Sequence, residues 1–193
     1  MALADSGDPV LAETRAWVER AVIGLNLCPF ARAVQAKQQV RYVLSEADDE
    51  DALLAELVDE MEALVAVDPV RVETTLLVHP QLLRDFLDYN DFLDVVDAAL
   101  DRLGHAGVLQ VASFHPQYQF AGTGPDDVTN ATNRSPYPML QLLRESSIER
   151  AVAAFPDTAE IYRANLRTLE ALGADGWAAL QAQCRRDAEQ APT

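Results

Sequence analysis

The chain has 193 residues, of which 49% are hydrophobic, so it can bury a sizeable core. A formal net charge of −16 gives a surface that repels nucleic acid and anionic lipid, so neither is an expected partner. Short apolar runs exclude a membrane-spanning segment, and the acidic start of the chain lacks the basic region of a secretory signal. The two cysteines match no disulfide framework, so we expect one cytoplasmic domain, 1–193, with frayed ends at 1–8 and 187–193.

The first two thirds of the chain alternate helical and strand patterns. Asp8-Pro9 predicts the start of a helix that ends near Gly24. Val40–Leu44, Val72–His79 and Val108–Phe114 predict three strands, with amphipathic helices between them. Strands joined by helices run parallel, with right-handed crossovers. We therefore predict an α/β fold: a small, mainly parallel three-stranded β-sheet (β-α-β-α-β) with an N-terminal helix and a C-terminal helical region.

The C-terminal third is predicted to be a loop followed by helices. Pro116 to Ser135 predicts an ordered binding loop, because it is long, low in charge and rich in Gly, Asn and Thr. A helix is expected from Pro136 or Pro138 to about Phe155. Asp157 with Glu160 predicts the start of the next helix, and Gly173–Gly176 a break before the last one.

Two histidines and a cysteine are candidate reactive groups. Ligands of parallel α/β sheets bind beyond the carboxyl ends of the strands, where His79 and His115 are expected. Each of these histidines could instead end its strand with the imidazole hydrogen-bonded locally. Cys28 lies in a stretch without acidic residues, where nearby cations would favour a nucleophilic thiolate, although most free cysteines are small buried residues. Cys28 and His115 are therefore the candidate catalytic pair of nucleophile and base.

The candidate substrate-binding residues lie in and just after the long loop. A helix that begins near Pro136 would leave N–H groups free for an anion, and Arg134 would add a planar, bidentate donor. The alternative is that a side chain of this stretch caps the helix while Arg134 pairs with Asp126 or Asp127. The binding residues predicted here are Arg134, Asn130, Asn133, Ser135 and Tyr118.

Three segments carry a resemblance to a known family. Gly24–Ala31, Ser113–Phe120 and Thr132–Pro138, with the continuation Leu140–Glu145, resemble the bacterial domain-of-unknown-function family 1415. The combination of motifs is specific, and the resemblance covers nearly the whole chain. It implies a bacterial protein whose family is defined by these motifs, and it implies no particular reaction or cofactor.

Three classes of function remain open at this point. The first is an enzyme that acts on a small anionic metabolite through a pocket containing Cys, His and Arg. The second is a metal- or haem-binding protein, with Cys28, His79 and His115 as metal ligands or with Cys28-Pro29 as a short haem motif. The third is a protein-interaction module that uses the acidic helix Glu46–Glu62. The cofactor, the oligomeric state and the substrate are left undetermined by the sequence.

Overall fold

The computed structural model describes residues 8–154 and 158–191. Helix α1 (Pro9–Trp17) begins as predicted, with Pro9 in its first turn and the Asp8 carboxylate accepting the Val10 N–H at 2.8 Å. A π-helical segment, Val18–Ile23, continues it up to Gly24.

The predicted β-α-β-α-β order is confirmed in the middle of the chain. Its elements are β1 (Val40–Leu44), α3 (Glu50–Ala66), β2 (Thr74–Val78), α4 (Phe86–Leu103) and β3 (Leu109–Phe114), and a short helix α2 (Ala31–Ala36) precedes them. Asp49 and Asp85 cap α3 and α4 by accepting backbone N–H groups. Strand β1 pairs with β2 in parallel.

The sheet has a fourth strand where the sequence predicted a helix. Met139–Arg144 forms β4, which lies between β2 and β3 and runs antiparallel to both. The sheet is thus mixed and four-stranded, in the order β1-β2-β4-β3, and the expected three-stranded sheet is corrected. The first three strands still run in one direction, because β2 and β3 are each antiparallel to β4. The helix expected from Pro136 or Pro138 is wrong, and α5 begins only at Glu145 (Glu145–Ala154).

Alternation along the strands divides the core into two layers. On one face α3 and α4 bury Leu77, Leu140 and Leu142. On the other face α1 and the π-helical segment, with the long helix α6 (Thr158–Glu189), bury Leu76, Val78 and Met139. A shift of one residue along β4 would turn Leu140 and Leu142 to the α1 face and Met139 to the α3 face.

Arg144, at the end of β4, joins the sheet to α3. Its guanidinium donates hydrogen bonds to the carbonyl oxygens of Leu64, Val67 and Val72, at 2.7, 2.8 and 3.1 Å. Two of these carbonyls lie at the C-terminal end of α3, where a cation is favourable. Arg144 therefore has a structural role on the α3 side of the sheet.

Helix α6 completes the second face of the sheet. It bends at Gly173, which adopts a φ of 70° in the predicted region of the break. It continues to Glu189, and Asp187 pairs with Arg20; fraying of the end from 187 to 193 stays a prediction. The expected helix start at Asp157 lies outside the described residues. Within the described ranges, no helix is long and apolar enough to cross a bilayer.

The central position of β4 predicts a large stability difference between two leucines. Leu140→Ala is expected to lower the free energy of unfolding by about 2–5 kcal/mol, because it leaves a cavity between β4 and α4. Leu87→Ala is the matched control, since Leu87 is 70% exposed and its loss should cost about 0.5 kcal/mol or less. Urea unfolding of both variants measures the difference, and equal small losses would contradict the placement of β4.

Candidate functional site

A cavity of about 360 Å³ lies on the α1 face of the sheet, and Cys28 is on its wall. Its floor is formed by side chains of all four strands, including Thr74, Leu76 and Gln141. The π-helical segment and α2 enclose one side. Helix α5 encloses another side with Ile148 and other residues of its inner face. The walls are mainly apolar, so the cavity suits an organic molecule with few polar groups.

The turn after the π-helical segment fixes the position of Cys28. A Cβ atom at Gly24 would overlap the carbonyl oxygen of Arg20, so the tight backbone there requires glycine. Asn26 then takes a φ of 56°, which asparagine tolerates better than most residues. The Cys28 N–H donates to the Val22 carbonyl at 3.3 Å, and the Leu27 carbonyl accepts a 2.9 Å hydrogen bond from Asn165 of α6. These hydrogen bonds hold the turn in place, and Cys28 is half-buried.

The two predicted histidines meet on the other side of the sheet, against α4. The rings of His79 and His115 both pack on Tyr89, with centroid distances of 5.9 and 5.1 Å. The Tyr89 hydroxyl donates to the Met139 carbonyl at 2.8 Å and accepts the Phe114 N–H at 3.0 Å, so it links β4 to β3. His79 directly follows β2 and His115 directly follows β3, so both lie at the carboxyl edge of the sheet, as expected from the sequence.

His115 is fully buried, and both of its ring nitrogens have partners. Nε2–H donates to the Leu83 carbonyl at 3.1 Å, and Nδ1 accepts the Gln117 N–H at 3.0 Å. Burial lowers the pKa of His115, which favours this neutral tautomer. His115 does not line the Cys28 cavity, so the structure does not bring the predicted catalytic pair together in one pocket.

His79 is also neutral, and its ring is only partly satisfied. Nδ1–H donates to the Leu82 carbonyl at 3.2 Å, whereas the buried Nε2 has no hydrogen-bond partner. Burial lowers the pKa of His79 to about 4. Among residues 8–154 and 158–191 no three His, Cys, Asp or Glu side chains are grouped to hold a metal ion. The alternative ligand set of Cys28, His79 and His115 is therefore not assembled, and haem binding stays a prediction.

Arg134 is held by the long loop. Its Nε donates to the Tyr118 carbonyl at 3.1 Å and its Nη2 to the Pro125 carbonyl at 2.5 Å. Burial lowers the pKa of Arg134, and Asp126 and Asp127 oppose that shift. No helix begins at Pro136, so the free N–H groups expected beside Arg134 are absent from this described segment.

The other predicted binding residues also have partners within the protein. The Asn130 side chain accepts from the Phe120 N–H and the Thr123 hydroxyl and donates to the Gly124 carbonyl. The Ser135 hydroxyl donates to the Tyr137 carbonyl at 2.6 Å, and the Tyr118 ring packs on Phe86. Asn133 alone of the five lines the cavity. A role of these residues in anion binding stays a prediction.

Sequence reasoning missed the polar groups of the cavity floor. Thr74 and Gln141 lie in the middle of the sheet, and Glu73 lies just before β2. Gln141 is a polar residue between apolar neighbours, which in a strand would mark a polar position on one face. The pattern has this meaning only after Met139–Arg144 is assigned as a strand. The acidic run Glu46–Glu62 covers the outer part of α3, on the face opposite the cavity, and its role in binding a partner stays a prediction.

Fold and site define a mixed α/β protein with a small-molecule-sized cavity on one face of its sheet. The sequence model of a family described as "Protein of unknown function (DUF1415)" matches residues 9–179, so the chain belongs to that family. This confirms the resemblance seen in the sequence. No curated protein and no solved structure matches the chain.

Cys28 and Cys184 are expected to differ in reactivity. Cys184 is 2% exposed, and burial raises its pKa to about 11, whereas Cys28 is half-buried on a cavity wall. Because the thiolate is the reactive form, N-ethylmaleimide at pH 7.5 should modify Cys28 at least about tenfold faster. Peptide mass spectrometry over time distinguishes the two sites. Equal rates would mean that the Cys28 thiol is no more accessible than a core cysteine.

Burial of neutral His79 predicts a loss of stability in acid. An unfolded histidine has a pKa near 6.5, so protons favour the unfolded chain between that pH and the folded pKa of about 4. Between pH 7 and pH 4.5 the free energy of unfolding should fall by about 2–3 kcal/mol on account of His79. His79→Phe should remove this part of the pH dependence in urea titrations. The same change at His105, which pairs with the exposed Glu62, is the control and should leave that part in place.

Proposed function

We propose that the protein binds a small, mainly apolar molecule in the cavity beside Cys28. The observation that carries the proposal is the cavity itself, whose volume of about 360 Å³ falls within the range of small-molecule sites. It is enclosed by the sheet, the π-helical segment, α2 and α5, which favours a compact molecule over an extended peptide.

Of the three residues Cys28, His115 and Arg134, only Cys28 lines the cavity. Neither His115 nor Arg134 lines the cavity, and both already have protein partners. The geometry therefore supports binding of an apolar body better than the expected anionic metabolite held by Arg134. If Cys28 has an enzymatic role, its thiol would react with a molecule bound in this cavity.

Helix α5 offers a way to fill the cavity without disturbing the core. None of its described residues is fully buried, and Ala151 faces the cavity. Ala151→Trp should therefore occupy the space of the ligand. Ala98→Trp is the matched control, because Ala98 is exposed on α4, on the opposite face of the sheet.

The experiment uses 2-phenylethanol as a neutral probe of the cavity. At about ten times its Kd, a ligand stabilises the folded state by about 1.4 kcal/mol, which should raise the melting temperature by about 3–5 °C. Wild type and Ala98→Trp should show this shift and slower modification of Cys28, and Ala151→Trp should show neither. An equal shift in all three proteins would place the probe elsewhere and contradict the proposal.

A further inference from the structure

We infer that the molecule bound in this cavity carries a hydrogen-bond donor, best an ammonium group, that binds between Gln141 and Glu73. This inference rests on the proposed function and names the chemical class of its ligand. It follows from the direction of the hydrogen bonds in the cavity wall and from the charge there.

The hydrogen bonds of Thr74 fix the orientation of the Gln141 amide. The buried Thr74 hydroxyl donates its single hydrogen to the Leu142 carbonyl at 2.7 Å. It can therefore only accept from Gln141, whose Nε2 donates to it at 3.1 Å. The Gln141 Oε1 atom then remains as an acceptor on the cavity floor.

Three further donor side chains of the cavity wall are committed to protein oxygens, and the Ser147 hydroxyl accepts from Arg150 at 3.0 Å. The Trp17 indole N–H donates to the Arg134 carbonyl at 3.0 Å. The Thr132 hydroxyl donates to the Thr129 carbonyl at 3.0 Å, and the Asn133 amide donates to the Ser113 carbonyl at 3.1 Å. The side-chain oxygens left facing this space therefore favour a ligand that donates.

Glu73 sets the sign of the charge. Its carboxylate lies on the cavity wall with a side-chain exposure of 17%, and among the described residues no Lys, Arg or His lines the cavity. Arg150 of α5 pairs with this carboxylate at 3.0 Å but is 63% exposed, and such surface pairs are weak enough for a ligand cation to compete. A ligand carboxylate would meet Glu73 and the free acceptors and would be repelled.

The two ends of the cavity assign an orientation to the ligand. Glu73 also lines a neighbouring, open pocket of about 500 Å³ together with Lys37 and Arg150, so this end faces solvent. Trp17 and Phe114, whose rings pack edge to face at 5.4 Å, lie on the apolar wall. The donor group is thus placed beside Glu73 and the apolar body against the aromatic rings.

The test compares three probes with one apolar body at pH 7: 2-phenylethylamine, 2-phenylethanol and phenylacetate. We expect the amine to bind about tenfold more tightly than the alcohol, because hydrogen bonds to charged groups are the stronger ones, and the carboxylate to bind most weakly. Trp fluorescence titration gives the Kd values, and thermal shift gives an independent ranking.

Glu73→Gln and Glu60→Gln separate a local effect from the net charge. Each removes one negative charge from an ion pair with an arginine, but Glu60 pairs with Arg41 on the α3 side. Glu73→Gln should abolish the advantage of the amine and leave the alcohol Kd within about twofold of wild type. Glu60→Gln should keep the advantage. Gln141→Met should weaken the binding of the amine and of the alcohol alike, because it removes the acceptor on the cavity floor. This variant is used in place of Glu73→Gln if Glu73→Gln does not fold.

Each outcome bears on one of the two proposals. If the alcohol binds and phenylacetate binds as tightly as the amine, the donor inference is overturned and the cavity proposal stands. If Glu60→Gln removes the advantage as Glu73→Gln does, the preference reflects net charge alone, which also overturns the inference. If none of the three probes binds, the proposed function itself is overturned.

Discussion

The antiparallel insertion of β4 between β2 and β3 is the constraint on which the rest of the structure depends. Neighbouring strands lie about 4.8 Å apart, so one inserted strand separates β2 and β3 by about 10 Å. His79 and His115 follow these two strands, and the space between them is filled by the Tyr89 ring. The Tyr89 hydroxyl in turn bonds to the backbone of β3 and β4. The histidines therefore serve a packed, neutral cluster, which explains why neither is available in the cavity.

The same strand also gives the cavity its polar floor. Alternation along β4 sends Leu140 and Leu142 towards α3 and α4, and it sends Met139 and Gln141 to the other face. The Gln141 amide bonds to Thr74 on the adjacent strand, and Thr74 bonds to the β4 backbone. A polar pair is thus tied into the sheet ladder beneath an apolar space, where an unsatisfied group would be costly. This coupling makes the floor rigid, which lowers the entropic cost of binding a ligand.

Sequence patterns predicted the elements with strong periodicity and failed where local propensity opposed the tertiary context. The start of α1 and the first three strands were predictable, because capping residues and apolar alternation are local signals. Leu140-Gln-Leu-Leu-Arg-Glu145 consists of good helix formers, and the prolines before it are typical of a helix start. Burial between two strands overrode that propensity. Cys28 was predicted as a reactive residue from the acid-free stretch around it, and the structure puts it on the cavity wall, where its role stays a prediction. The pairing of Gln141 with Thr74 depends on a contact across 67 residues that no local pattern encodes.

The long loop illustrates how a polar segment can support a cavity mainly through hydrogen bonds to its own backbone. Its many Asn, Thr and Arg side chains predicted a binding site for an anion. Asn130 and Arg134 instead donate hydrogen bonds to carbonyl oxygens of the loop itself. These bonds satisfy the backbone of a segment that has no strand partner of its own. They also hold the Arg134 carbonyl that accepts the Trp17 indole N–H, and Trp17 is part of the cavity wall. The loop therefore acts on the cavity through Trp17 and Asn133. A loop whose polar groups bind one another is preorganised. It holds the Trp17 ring in position through the Arg134 carbonyl, which lowers the entropic cost of packing an apolar ligand against that ring.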